Sequence, residues 1–275
     1  MSDRSITATS PDGVRLSVHE WGNADGPPLL FVHGFSQSHR AFLKQAHGEL
    51  AKDFRIIAFD LRGHGASDKP RDEAAYTDGR RWADDVAAVI QTCRLQRPFL
   101  TGWSMGGRVV SQYLDVHGDD RLTGLVFVGS RTVVTPDRSF LGPGAAMLAA
   151  MQVSDPRQSA IATEAFLREC FHPPPDPAEF AELLKDNLLT PPWARAGAQR
   201  WPGQFDAALS RVIVPTLVVH GTQDRIIQPA AAEYTAQIIA HATLAWIEGA
   251  GHMPFIERAS EFDARLKAFA RTVVD

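Results

Sequence analysis

At 275 residues, with 44% hydrophobic and 22% charged residues, the chain can bury one sizeable core and has an ordinary globular composition. Its net charge of −4 and lack of a lysine/arginine cluster exclude a nucleic-acid surface, and no apolar run reaches the roughly 18 residues of a membrane span. Cys93 and Cys170 match no metal or redox spacing and read as two reduced, buried thiols; with a polar stretch up to Gly13 in place of a signal peptide, a cytoplasmic location is expected.

Ile6 to Trp21 alternates loosely around the turn residues Pro11-Asp12-Gly13, which predicts an edge hairpin with Val14, Leu16 and Val18 on one face. Pro28 to Phe35 is a continuous apolar run, as expected of a parallel strand covered on both faces. Ser38 to Leu50 reads as a helix. Phe54 to Asp60 reads as a second buried strand, ending in the loop Leu61 to Asp68. Thr77 to Leu95 is helical, with Trp82, Val86, Val89 and Ile90 on one stripe. Pro98-Phe99-Leu100 leads into Thr101-Gly102-Trp103-Ser104-Met105-Gly106-Gly107, and a helical pattern follows from Arg108. Leu125 to Ser130 is a further strand.

The rhythm then breaks. From Arg131 to about Val212 no clear strand is visible, and helical pieces alternate with proline clusters at 172–177 and 190–193. This predicts a helical cap over residues 131–211, inserted into a core made of residues 1–130 and 212–275. The sheet resumes at Pro215 to Gly221. Pro229 to Ala240 follows as a helix, Thr243 to Ile247 as a last strand, and a closing helix carries the stripe Phe262, Leu266 and Phe269. Ser260-x-x-Asp263 resembles a capping box within it. Strand alternating with helix predicts an α/β fold: a mostly parallel, eight-stranded sheet flanked by helices, with functional loops beyond the carboxyl ends of the strands.

The Gly-x-Ser-x-Gly stretch lies in the strand–turn–helix context of a nucleophile elbow, where Ser104 is lifted off a strand end to a helix N-terminus and Gly102 and Gly106 supply the small neighbours it needs. A serine hydroxyl needs an adjacent base at neutral pH. His252, in the small-residue loop Gly249 to Pro254 after the last strand, is the candidate; His33 and His64 read as structural, and His220 as buried at a strand end. The base needs an acid, and Asp224 follows the penultimate strand at the same sheet end; Asp60, Asp68 and Glu248 are rivals. Backbone N–H groups of Met105 and Phe35 are the candidate donors to an oxyanion. Trp103, Phe140, Trp193 and Trp201 are candidates for lining a substrate pocket, packing being their alternative role.

In this order the motifs resemble the α/β-hydrolase fold over essentially the full length, in its serine-nucleophile branch of esterases and cofactor-free haloperoxidase-like enzymes. They are His33-Gly34-Phe35, Asp60 to Ser67, Gly102 to Gly107, Asp224 and Gly251-His252. The resemblance implies that His33 and the Asp60 to Ser67 loop are structural and that the cap lies between the sixth and seventh strands. Ser104 argues against dehalogenases and epoxide hydrolases, which use an aspartate. A serine hydrolase of a small to medium, mostly apolar ester or lactone is expected first. A perhydrolase, a carbon–carbon bond hydrolase and a ligand receptor follow. The expected partner is a small molecule alone, with no metal or organic cofactor, no nucleic acid and no membrane; a homo-oligomer is left open.

Overall fold

The computed structural model describes residues 3–133, 139–201 and 203–274. Residues 134–138 and 202 of the expected cap therefore lie outside the described residues. Eight strands form one sheet: β1 (Arg4–Thr9), β2 (Arg15–Gly22), β3 (Pro28–Val32), β4 (Arg55–Phe59), β5 (Phe99–Trp103), β6 (Gly124–Val128), β7 (Thr216–Gly221) and β8 (Thr243–Ile247). Their order is β1-β2-β4-β3-β5-β6-β7-β8. The β1–β2 and β2–β4 pairs are antiparallel and the others parallel. The apolar runs explain this layout: β5, β6 and β7 are buried at every residue, so helices must cover both faces.

The longer helices are α1 (Gly79–Thr92), α2 (Met105–His117), α3 (Pro156–Glu169), α4 (Pro177–Leu188), α5 (Pro192–Arg200), α6 (Ala230–Ile238) and α7 (Ala259–Val274). Between β6 and β7 lie α3, α4 and α5, and the described residues there contribute only two isolated bridges, Val133 to Gln204 and Leu141 to Ile227. The proline clusters mark helix starts rather than breaks. Each of the three helices begins on a proline, whose fixed φ suits the first turn. Asp155 and Asp176 cap α3 and α4, each carboxylate accepting from two backbone N–H groups of the first turn.

Two local expectations differ from the structure. The helix expected over 38–50 is a 3-10 turn at His39–Phe42 and single α-turns at Leu43–Ala46 and Leu50–Asp53. Asp60 pulls on this segment, accepting from both the backbone N–H (2.7 Å) and the Nδ1 (2.8 Å) of His39. Asp263 does not serve a capping box; its carboxylate accepts from the Gln45 amide at 3.0 Å and so ties α7 to the segment after β3.

Buried polar groups fix the loops at the strand ends. Arg62 is fully buried and meets Asp85 through two 2.7 Å hydrogen bonds and Asp12 at 2.8 Å. Arg195 of α5 is also buried, yet its hydrogen bonds all go to neutral oxygens: Ser36 Oγ, Met151 O, Ser159 Oγ, Thr163 Oγ1 and Asn187 O, at 2.7–3.1 Å. It binds the segment between β6 and β7 to the loop after β3. His33 accepts the Leu61 N–H at Nε2 (3.0 Å) and donates from Nδ1 to Gly34 O (2.8 Å), which requires a neutral ring. His64 Nδ1 donates to Arg62 O at 2.9 Å, and its Nε2 is buried without a partner. Cys93 and Cys170 are buried free thiols.

Burial lowers His33 from 6.5 to about 4 and His64 to about 3. A depressed histidine contributes stability that is complete above its unfolded pKa and lost as pH falls through the folded value. Asp263, raised by burial to about 6, works the other way, its contribution being present at low pH and lost as pH rises through 6. The two histidines together outweigh the one aspartate. Urea unfolding is therefore expected to give a free energy lower at pH 4.5 than at pH 7 by a few kcal/mol, since a tenfold change in a group's proton affinity on folding is worth about 1.4 kcal/mol. A free energy equal at the two pH values would contradict the burial of neutral His33 and His64.

Candidate active site

Ser104 sits between β5 and α2 with φ 54° and ψ −118°, in the left-handed region that a serine rarely occupies. The glycines make that turn fit. A Cβ on Gly106 would stand 2.2 Å from Val32 O, and one on Gly102 would stand 2.6 Å from Gly106 O. The Ser104 N–H donates to Val128 O at 2.9 Å, holding the turn against β6. Met105 opens α2, so its N–H has no partner within the helix and faces the end where the dipole favours negative charge. The turn carrying Phe35 lies directly against the serine: a Cβ on Gly34 would come 3.1 Å from Ser104 Cβ.

His252 lies across the same sheet end. Its Nδ1 donates to Asp224 Oδ2 at 2.7 Å, and its ring is 5.6 Å from that of Trp103, beside Ser104. Its Nε2 is buried and has no hydrogen-bond partner. The bond at Nδ1 fixes the tautomer, leaving Nε2 as an acceptor. Asp224 is fully engaged. Its Oδ1 accepts from Ile226 N (2.8 Å) and Ile227 N (2.9 Å), and His220 Nε2 stands 3.2 Å from Oδ2. Burial alone would raise the Asp224 pKa, but the charges and hydrogen bonds of His252 and His220 outweigh it and hold the carboxyl below the usual range. Among the sequence rivals, Asp60 is occupied by His39 and Ala66 N, Asp68 by Arg15, and Glu248 by Thr222.

Glu257 escaped the sequence reading. It lies in a single helical turn, Pro254–Glu257, just after the histidine loop. Its carboxylate accepts from Gly251 N (2.9 Å) and Met253 N (3.1 Å), the residues on either side of His252, and from His172 N (2.6 Å) of the insertion. Between those two bonds, the His252 N–H donates to Cys170 O, and Trp103 Nε1 donates to His252 O, both at 2.9 Å. The visible signal was a carboxylate three residues past the Met253-Pro254 pair, placed to collect free N–H groups.

A cavity of about 40 Å3 opens beside Ser104 and Met105. Phe35, Leu141, Leu148, Phe166, Ile226 and Ile227 give it apolar walls, and Arg108, Arg131 and Gln199 add polar ones. None of the four aromatic residues expected at a pocket lines it. Trp103 turns beneath the histidine loop and supports His252. Phe140 packs on Tyr234, with ring centres 5.2 Å apart. Trp193 is on the outer surface, under the Arg71 guanidinium and bonded to Pro70 O. Trp201 is buried, stacked on Trp82 at 5.5 Å. Trp103, Phe140 and Trp201 are taken up by packing, whereas Trp193 lines a separate outer cleft with Pro156, Leu188 and Pro192. Among the described residues no cluster of three His, Cys, Asp or Glu side chains is arranged to hold a metal ion, and no helix is long and apolar enough to cross a membrane.

Comparison with known proteins agrees with this fold. A family model described as the alpha/beta hydrolase fold matches residues 27–259. The chain belongs to the α/β-hydrolase family. It is 34% identical to a Burkholderia cenocepacia protein of solved structure classed as an aryl esterase, covering 98% of this chain and 99% of that one with a TM-score of 0.94. It is 33% identical to the esterase RhEst1 of Rhodococcus sp. ECU1013, covering 99% and 100% with a TM-score of 0.91. A non-heme chloroperoxidase of Streptomyces lividans is 29% identical, over 97% of this chain and 99% of the relative. This α/β-hydrolase is thus an enzyme whose relatives include esterases and a chloroperoxidase.

Because Glu257 holds the backbone on both sides of His252, Glu257→Ala is expected to cut the hydrolase's kcat by about 10–100-fold with a smaller change in KM, the cost of a small misplacement of a reacting group. Steady-state kinetics alongside far-UV circular dichroism checks this; a folded variant with the parent kcat would remove Glu257 from the support of the histidine.

Proposed function

We propose that this hydrolase is a serine esterase that cleaves small, mostly apolar carboxylic esters or lactones through an acyl-enzyme. Ser104 is its nucleophile, His252 its base and Asp224 its acid; the N–H groups of Phe35 and Met105 are its oxyanion donors. The observation that carries this reading is the buried, unpartnered Nε2 of His252, on a ring whose other nitrogen is held 2.7 Å from Asp224, at the sheet end where Ser104 is lifted to a helix start.

Each step follows from those residues. Ser104 Oγ attacks the ester carbonyl while His252 Nε2 takes its proton. The imidazolium is stabilised by Asp224, which stays ionised because its carboxyl is held below the usual range. Charge developing on the carbonyl oxygen meets the Phe35 and Met105 donors, which in serine hydrolases are worth roughly 3 kcal/mol each. His252 then protonates the leaving alkoxide, and a water molecule, deprotonated by the same ring, attacks the acyl-enzyme. The segment between β6 and β7 acts as the cap: it supplies Leu141, Leu148 and Phe166 to the cavity wall. The narrowness of that cavity favours short acyl groups. The buried, unbridged thiols fit a cytoplasmic setting. A second reading, perhydrolysis with peroxide in place of water, is favoured by the chloroperoxidase relative and uses the same residues.

A p-nitrophenyl ester series from acetate to decanoate is expected to peak at the short end and to lose its activity in Ser104→Ala. No cleavage of any ester by the wild-type protein would overturn the esterase reading. Asp224→Asn is expected to stay folded and to lose about 10⁴-fold in kcat, the loss seen when the acid of such a triad is neutralised; wild-type turnover in that variant would move the acid elsewhere.

A further inference from the structure

We propose that the cavity beside Ser104 receives an acyl chain ending in a carboxylate, and that Arg108 is the residue that binds this carboxylate. The proposal rests on the esterase reading and narrows its substrate class to monoesters of short dicarboxylic acids, or lactones bearing such a group. Arg108 lies on α2 four residues after Ser104, on the same helix face, and it lines the same cavity. It is only 4% exposed. A buried guanidinium needs acceptors for its donors. Arg62 meets this need with two carboxylates and Arg195 with a ring of neutral oxygens. Arg108 has far less: one hydrogen bond from Nη2 to Trp201 O, the Trp201 ring 4.5 Å from its Cζ, and a buried Nε with no partner. Among the described residues no carboxylate pairs with it, and the described lining of the cavity contains no Asp or Glu.

Two further polar residues share the cavity. Arg131 lines the same cavity, and Gln199 adds an amide. Burial and the Arg131 charge bring Arg108 down to about 9, so it is still cationic at neutral pH. The other walls are apolar. The cavity is thus an apolar slot with the reacting serine and a cationic pole one helical turn apart. A carboxylate entering it exchanges water for a charge-assisted hydrogen bond in a low-dielectric site. A site built to hydrogen-bond a substrate group rejects the analogue lacking it, because its own polar group is then left buried and unmet. The rival role, a bolt that merely holds Trp201 against α2, predicts equal losses on charged and neutral substrates.

The experiment compares kcat/KM for mono-p-nitrophenyl glutarate and for p-nitrophenyl hexanoate, a neutral ester of matching length, in the wild type, Arg108→Lys and Arg108→Met. The wild-type protein should favour the glutarate ester by about tenfold or more, in line with a hydrogen bond to a charged group. That ratio should collapse in Arg108→Met and be retained in part by Arg108→Lys. A wild-type preference for hexanoate, or a ratio untouched by Arg108→Met, would overturn the proposal. Calorimetric titration of glutarate separates this outcome from failure of the esterase reading. Binding to Ser104→Ala that is lost in Ser104→Ala/Arg108→Met supports the carboxylate site even where no ester is cleaved; equal binding, or none to either, overturns it.

Discussion

The whole site depends on how closely two backbones approach at the carboxyl end of the sheet. Ser104 keeps its left-handed conformation because α2 starts hard against β3, and that contact exists only where Gly106 presents a hydrogen to Val32 O. Gly34 allows the same closeness from the other side, so the turn bearing Phe35 can touch the serine. Gly107 makes room for Ser130, whose hydroxyl donates to Gly102 O and Val128 O and so closes the turn from β6. A strained residue persists only where its surroundings over-determine it. Here three strand ends and a helix start do so, and the burial of β3, β5 and β6 supplies the free energy that offsets the strain.

The histidine loop solves a different problem. It has no regular structure of its own, so each backbone group around His252 must be met individually. Glu257 takes the N–H groups on both flanks, Cys170 O takes the N–H of His252, and the Trp103 indole takes its carbonyl. Such a loop can be short of secondary structure and still hold a ring in one place, because buried polar groups are costly to leave unmet.

How much of this was legible follows from which residues answer to local rules. Strands β3 to β7 were visible because residues buried on both faces must be apolar, and the edge strand β8 by its short apolar run. Ser104, His252 and Asp224 stood out as candidates because the proposed chemistry needs those residue types at strand ends; in the structure Ser104 follows β5, and His252 bonds Asp224 in the loops after β8 and β7. The segment at 38–50 was misread because its helical pattern competes with Asp60, a partner distant in sequence. The four candidate aromatics stand away from the cavity beside Ser104 for a related reason. Trp201 and Trp103 are large enough to hold the fold together and are used for that, leaving aliphatic side chains and Phe35 and Phe166 to line the cavity. Glu257 and Arg108 were passed over because a single charged residue on a helical turn ordinarily means a solvated face; the carboxylate after Met253-Pro254 was a faint signal, and the three-dimensional partners are what give it weight.

The segment between β6 and β7 is bound to the site at three places. Cys170 O and His172 N hold the histidine loop, directly and through Glu257. Arg195 of α5 donates to Ser36 Oγ, which in turn donates to Asn187 O of α4. Ser36 follows Phe35, so the orientation of one candidate oxyanion donor is set by side chains on α4 and α5. Leu141, Leu148 and Phe166 from the same segment form the cavity wall. In the proposed mechanism, acyl-chain selection and the alignment of His252 and Phe35 therefore rest on one packed unit. A substitution in that unit that reshapes the wall also moves the supports of His252 and Phe35, so its effect reaches turnover as well as binding. That coupling is a direct consequence of using backbone hydrogen bonds from the insertion to hold the histidine loop.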